Sequence, residues 1–218
     1  MLRSAAAVMA KDVRLVLARG AHVAQPILLG LLLVFGFSLS APPGERFSPQ
    51  DAMAIFWLAS VFASILQSST LFRLEEENGV LTALLLAPIA PQSFWLAKAV
   101  VGLALLGMCQ LVFFPAAAVF LGVAMGHWGM VPLILAVDVG LCLVGALLGA
   151  LSQGARDTLL TVIVFPLQMP LILAGIRGGA MVLAGDAGVG QWLGLALAFD
   201  AVFFGVALIL FPFVLRGR

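Results

Sequence analysis

Residues 130–152 read MVPLILAVDVGLCLVGALLGALS, an apolar run broken by a single charged residue, Asp138. A helix needs about 20 mostly apolar residues to cross a bilayer, and this run has that length. Working outward, five similar runs lie at 22–40, 52–71, 97–124, 158–176 and 192–215. The breaks between runs carry turn chemistry: Ala41-Pro42-Pro43-Gly44, the pair Pro88 and Pro91, and the glycine-rich stretch Gly178–Gly190. Composition says the same. Of 218 residues, 63% are hydrophobic and 10% charged, against about 45–50% apolar and about 25% charged in soluble domains. A water-soluble globule of this size could not hide so much apolar surface. A disordered chain needs low hydrophobicity and high charge. The reading is an all-α integral membrane protein with six transmembrane helices in one domain over residues 1–218.

Orientation follows from the cations. With the N-terminus inside, the cytoplasmic segments hold Arg3, Lys11, Arg14, Arg19, Arg73, Lys98, Arg156, Arg216 and Arg218. The outer segments hold Arg46 and Arg177. This is a positive-inside bias, and an even number of spans puts both termini in the cytoplasm. Trp128 and Trp192 are expected to anchor outer helix ends, and Trp95 an inner one. The run 22–40 exceeds the roughly 7–15 apolar residues of a signal peptide, so it is expected to remain as a span. A net charge of +1 points to no nucleic acid. Cys109 and Cys142 both sit inside apolar runs, which argues against a disulfide framework or a CxxC site.

Two segments are expected to lie on the membrane surface. Residues 1–20 are too charged to span. Arg3, Ala7, Lys11, Arg14 and Ala18 form one helical stripe, and Leu2, Ala6, Met9, Val13 and Leu17 the opposite one. Such a basic amphipathic helix suits the interface, with its cations at anionic headgroups. The second segment, 72–93, contains Glu75, Glu76 and Glu77, then Gly79, then Val80, Leu81, Leu84 and Leu85 at helical spacing, closed by Pro88 and Pro91. The three acids are expected to precede a short helix and favour its N-terminal dipole. Pro88 stops that helix and Pro91 keeps it from resuming. A short apolar helix held between two spans suits insertion into a groove on a soluble partner.

These residues resemble a known family. The order is a basic amphipathic N-terminus, Leu71-Phe72-Arg73 followed by acids and Gly79, Leu84-Leu85-Leu86-Ala87-Pro88, Leu96-Ala97-Lys98, and later Phe165-Pro166-Leu167-Gln168-Met169-Pro170 in the fifth run. Together they look like the CcmB-type haem exporter permease of cytochrome c maturation, along nearly the whole chain. Thr82 departs from the acidic residue expected there. The resemblance implies an ABC-2 exporter-like membrane subunit of the bacterial inner membrane, present as a homodimer. It implies an ABC ATPase partner (CcmA-like), a haem-handling membrane protein (CcmC-like), a small membrane protein (CcmD-like) and a haem chaperone (CcmE-like). ATP hydrolysis by the partner would be coupled to haem export or to release of haem-loaded chaperone at the periplasmic face. The alternatives are a general ABC-2 exporter permease for a drug, lipid or polysaccharide, and a non-transporting membrane scaffold. The segment between the second and third spans would be the coupling helix. Arg73, Glu75, Glu76, Glu77, Gly79, Leu81, Leu84 and Pro88 are then the expected ATPase contact.

Chemistry motifs point away from catalysis. Neither Lys11 nor Lys98 follows a glycine as a P-loop requires, so ATP is expected on another chain. No GxSxG surrounds a serine, and no CxxCH offers haem attachment. No resident cofactor and no metal site are expected. Of the two histidines, His22 lies at the inner boundary of the first run and His127 beside Trp128 in an outer loop. Two acids stand out. Asp138 lies ten residues beyond Trp128 and Asp200 eight beyond Trp192. At 1.5 Å per residue both are about 12–15 Å deep, where an ionisable group is costly and marks function by default. Both are expected to face an inter-helix cavity or a subunit contact. Gly145 and Gly149 form a GxxxG that permits close helix approach. Pro166 and Pro170 should kink or loosen the fifth span.

Overall fold

The computed structural model describes residues 2–18, 20–40, 42, 47–77, 90–151, 157–186 and 188–216. Among them the chain forms α1 (Leu2–Ala18), α2 (Ala21–Ser38), α3 (Pro49–Glu77), α4 (Pro91–Phe120), α5 (Met130–Leu151), α6 (Asp157–Ala184) and α7 (Val189–Arg216), and no strand. Helices α3 to α7 are each long and apolar enough to cross a membrane. Helix α2 is apolar but shorter, at 18 residues, or about 27 Å.

Local chemistry sets the ends. Ser40 Oγ and Ser38 Oγ each donate to a carbonyl of the last turn of α2, Phe37 and Phe35, both at 2.7 Å. Ser48 caps α3: its Oγ accepts from the Asp51 N–H at 3.1 Å and donates to the Asp51 carboxylate at 2.6 Å, a reciprocal cap that satisfies an orphan donor. Pro91 opens α4 rather than blocking it, since its missing N–H would be unsatisfied in the first turn anyway. The helix therefore begins at Pro91, six residues before the expected boundary. Helix α6 runs through Gly178 and Gly179 to Ala184, so the break expected over Gly178–Gly190 is confined to the middle of that stretch. The chain turns at Gly185, whose φ of 75° suits glycine. There the Asp186 N–H reaches the Met181 carbonyl at 2.9 Å and the Gly185 N–H reaches Val182 at 3.2 Å, a Schellman closure.

Helix α3 sits centrally, packed against α2, α4, α5 and α6, while α5 packs most extensively on α7. The main apolar cluster joins Met53, Phe56 and Trp57 of α3 to Phe113 of α4, Leu133 of α5 and Leu171 of α6. A second cluster fills the end of the bundle where α1 lies. It gathers Val8, Phe72, Phe94, Trp95, Leu147 and Phe211. Trp95 is fully buried there, 5.8 Å from the Phe204 ring and 6.4 Å from Phe211. It is a packing residue between α4 and α7, not the interfacial anchor its position suggested. Trp128, by contrast, is 91% exposed.

The GxxxG of α5 is used within the chain. A Cβ on Gly149 would stand 2.9 Å from the Phe72 ring and 3.1 Å from the Ser68 carbonyl, and one on Gly145 would press on Ser68 Oγ. The missing side chains let α5 lie directly on α3.

Candidate functional site

The α1 end of the bundle holds the residues that the sequence marked for a partner contact. Arg73 is exposed. Glu75, Glu76 and Glu77 continue α3 and form its last turn. Their positions put them at the C-terminal, negative end of the α3 dipole, and the short helix expected after them falls on residues outside the described ones. Unbroken helical spacing through Leu71, Phe72 and Leu74 carries α3 past the expected end of its apolar run. Gly79, Leu81, Leu84 and Pro88 lie outside the described residues.

Beneath that surface is a charged cluster that the pattern reading missed. Lys98, on the second turn of α4, is buried, with no exposed side-chain surface. Its Nζ lies 2.8 Å from Asp12 Oδ2 on α1 and donates to the Leu71 carbonyl on α3 at 3.0 Å. The same ammonium lies 5.3 Å from the centre of the Phe94 ring and 5.8 Å from that of Phe72, within cation–π range. Asp12 is 3% exposed, and its other oxygen is 3.3 Å from Lys11 Nζ. One lysine thus touches three helices, and two of them border residues 78–89.

Asp12 also changes the reading of α1. Val8, Asp12 and Val16 form the buried stripe, with Met9 and Val13 partly buried beside it. The inward face is therefore turned away from the expected line through Met9 and Val13, because Asp12 must reach Lys98. Arg14 remains exposed. The signal in the sequence was an acid four residues from a valine on either side. Lys98, counted among the cations of the cytoplasmic segments, is buried and paired with Asp12 inside the bundle.

The intramembrane acids lie deeper. Asp138, 2% exposed, accepts from Gln110 Nε2 of α4 at 2.7 Å. Gln110 Nε2 is also 3.2 Å from Ser60 Oγ of α3, which donates to the Phe56 carbonyl at 3.0 Å. Asp200 of α7 is 8% exposed and rests against Gly140 of α5. Its Oδ1 has no hydrogen-bond partner among the described residues. Asp138 and Gly140 are two residues apart, so they point about 200° apart around α5. The two acids consequently occupy opposite sides of one helix: Asp138 the α3–α4 side, Asp200 the α7 side. Gln168, between Pro166 and Pro170 of α6, is fully buried and its Nε2 lies 3.4 Å from the Leu141 carbonyl. Cys109 is also buried, with Gln67 Nε2 at 3.1 Å from its sulfur.

Along α3, Ser60, Ser64 and Gln67 are buried polar residues at successive turns, leading from Gln110 and Asp138 toward the Leu71 carbonyl and Lys98. At the opposite end of the bundle, His127 is exposed in the α4–α5 connection. With Phe114, Trp128 and Ile134 it borders an apolar groove of about 350 Å³. Among the described residues no group of three or more His, Cys, Asp or Glu side chains is arranged to hold a metal.

Among the described residues, a bundle of long apolar helices with polar contacts inside it defines a multi-pass membrane protein. The chain belongs to the CcmB protein family, whose pattern matches residues 3–216. Its relatives include the heme exporter protein B of Pseudomonas aeruginosa, 27% identical over 194 residues that cover 86% of each chain. That of Bradyrhizobium diazoefficiens is 25% identical over 210 residues, covering 95% of this chain and 93% of the relative. That of Rhodobacter capsulatus is 26% identical over 199 residues, covering 88% and 91%.

Proposed function

We propose that this chain is the membrane permease subunit of an ABC-type complex in c-type cytochrome biogenesis. It couples ATP hydrolysis on a CcmA-like partner to haem export, or to release of haem-loaded chaperone, at the periplasmic face. The match to the CcmB family along residues 3–216 carries this reading, and relatives named heme exporter protein B support it. Helix α2 is the first of six spans, the α1 end is cytoplasmic, and the complex sits in the bacterial inner membrane with two copies of this chain.

In this reading the chain is non-catalytic. Its ATPase contact is Arg73, Glu75, Glu76 and Glu77 at the end of α3, continuing into Gly79, Leu81, Leu84 and Pro88. Apolar residues fill a groove on the ATPase, and the acids set register against its basic residues. The ATPase drives a cycle by binding two conformations of the permease with different affinity. ATP stays on the partner subunit, and haem is handled by the complex with CcmC-like, CcmD-like and CcmE-like members. Asp138 and Asp200 are the intramembrane polar candidates, Asp200 for the cycle and Asp138, held by Gln110, for the packing of α3, α4 and α5.

The test is a gentle detergent pull-down of the tagged chain from native membranes, read by mass spectrometry. Recovery of an ABC ATPase together with a tryptophan-rich haem-handling membrane protein is expected. The ATPase alone would favour a general ABC-2 exporter. Neither, with the chain intact in the preparation, would favour a scaffold and remove the coupling assignment.

A further inference from the structure

We propose that the groove between α2, α3 and α6 binds one phospholipid whose headgroup carries both a phosphate and a primary ammonium. The phosphate sits at Arg177, the ammonium at Asp51, and an acyl chain fills the groove. The inference stands apart from the transport reading.

The shape of the groove is the first observation. Its volume is about 460 Å³, within the range of about 300–1,000 Å³ usual for ligand sites. Its walls are Phe37 of α2, Ile55 and Leu58 of α3, and Phe165, Met169 and Ile176 of α6. Asp51 is the one charged group among the described lining residues. Phe37 and Met169 are 41% and 48% exposed, so the groove opens on the flank of the bundle, the surface that meets lipid. Along α6 the described lining runs from Phe165 to Ile176, a rise of about 16 Å. One leaflet of the hydrocarbon core is about 15 Å deep. A helix from a second copy would cross both leaflets, whereas an acyl chain matches a trough one leaflet long and polar at one end.

Charge at that polar end is the second observation, and it selects the headgroup. Arg177 lies within the apolar α6, which ends at Ala184, and a charge in a spanning helix is costly unless it finds a partner. Its Nη1 donates to Gln50 Oε1 of α3 at 3.4 Å, long for a hydrogen bond. Gln50 precedes Asp51, so this contact brings the guanidinium to the rim of the groove. Asp51 Oδ2 accepts from Ser48 Oγ at 2.6 Å. Among the described residues neither Arg177 nor Asp51 has an ion-pair partner. Two opposite charges thus stand at one rim without meeting each other. A purely anionic headgroup would satisfy Arg177 and be repelled by Asp51. A headgroup of both signs satisfies both, and a primary ammonium adds charge-assisted hydrogen bonds to the carboxylate. Because the walls come from three helices, the bound chain ties α2 to α3 and α6 at the end of the bundle away from α1.

The test uses the full chain, purified in mild detergent and stripped of lipid. Phosphatidylethanolamine or phosphatidylglycerol is added, and bound lipid is counted by native mass spectrometry. Phosphatidylethanolamine should be retained about fivefold over phosphatidylglycerol, the scale of one charge at a headgroup. Arg177→Gln should lower retention of both lipids about fivefold. Asp51→Asn should lower phosphatidylethanolamine alone and erase the preference; its amide oxygen still accepts from Ser48, so the start of α3 is kept. If a neutral variant loses the parent Tm, the lipid preference of the parent decides, beside Arg177→Lys, which should bind as the parent does. Equal retention of the two lipids by the parent overturns the proposal. So does retention at the parent level in both neutral variants. A parent that is paired and free of lipid, and that becomes single in the neutral variants, also overturns it and gives the groove to a second copy of this chain.

Discussion

Gln110 and Asp138 meet across the α4–α5 interface, Nε2 to Oδ1, at 2.7 Å, and Ser60 of α3 completes the contact at 3.2 Å from the same nitrogen. Three helices are thereby joined by one amide inside the bundle. Asp138 is satisfied there, whereas one oxygen of Asp200 has no partner among the described residues. The two acids looked equivalent by depth, and their surroundings make them different.

Gln110→Leu removes the donor and leaves the buried Asp138 carboxyl without it. The expected cost is about 1–3 kcal/mol, read as a lower Tm of the detergent-purified chain. Gln110→Leu with Asp138→Leu should recover most of that loss, because no buried polar group is then left over. An unchanged Tm for the single variant would show that the bond contributes nothing to the bundle.

Asp138→Asn keeps an oxygen to accept from Gln110, so both protein level and cytochrome formation should stay near the parent. Asp200→Asn should instead lower cytochrome formation several-fold at unchanged protein level. A buried ionisable group with one oxygen unpartnered among the described residues is a poor structural element and marks function. The check is cytochrome yield against immunoblotted chain in membranes; full activity of Asp200→Asn would remove Asp200 from the cycle.

Gly149→Val drives a side chain into the Phe72 ring and the Ser68 carbonyl. Overpacking of this kind costs about 1–3 kcal/mol, visible in the same thermal unfolding experiment. Gly36→Ala is the control. A Cβ there meets nothing within 4 Å, and alanine favours the helix, so stability should hold or rise. Equal losses for both would mean that α5 does not lie on α3 as described.

Glu75, Glu76 and Glu77 oppose the α3 dipole. Replacing all three with Gln should therefore raise the thermal midpoint slightly. On the proposed coupling contact, the same change should reduce ATPase capture several-fold. The pull-down of the triple variant beside the parent decides this. Undiminished capture would leave Arg73 and the apolar residues of 78–89 as the contact.

Much of the architecture was legible because lipid imposes simple rules. A backbone in hydrocarbon must satisfy its own hydrogen bonds, so a long apolar run is a helix, and α3 to α7 arise where the runs were read. Boundaries moved where a residue has two uses. Pro91 starts a helix as readily as it ends one. Gly178 and Gly179 let Leu133 and Met53 approach α6 instead of breaking it. Gly145 and Gly149 read as permitting close helix approach, and the helix that approaches is α3 of the same chain. Trp95 read as an anchor and packs between α4 and α7.

Arg73, the three acids, Asp138 and Asp200 could be picked from the sequence, because charge within or beside an apolar run is conspicuous. The sequence by itself determined the solvent, the helical class, the ends of the bundle that carry charge and the family. Which charges meet was decided only by tertiary structure. Asp12 and Lys98 are 86 positions apart and joined at 2.8 Å, and Gln110 finds Asp138 28 positions away. Hydropathy is a property of neighbours along the chain. An ion pair between helices depends on how each is rotated about its axis, and packing sets that rotation.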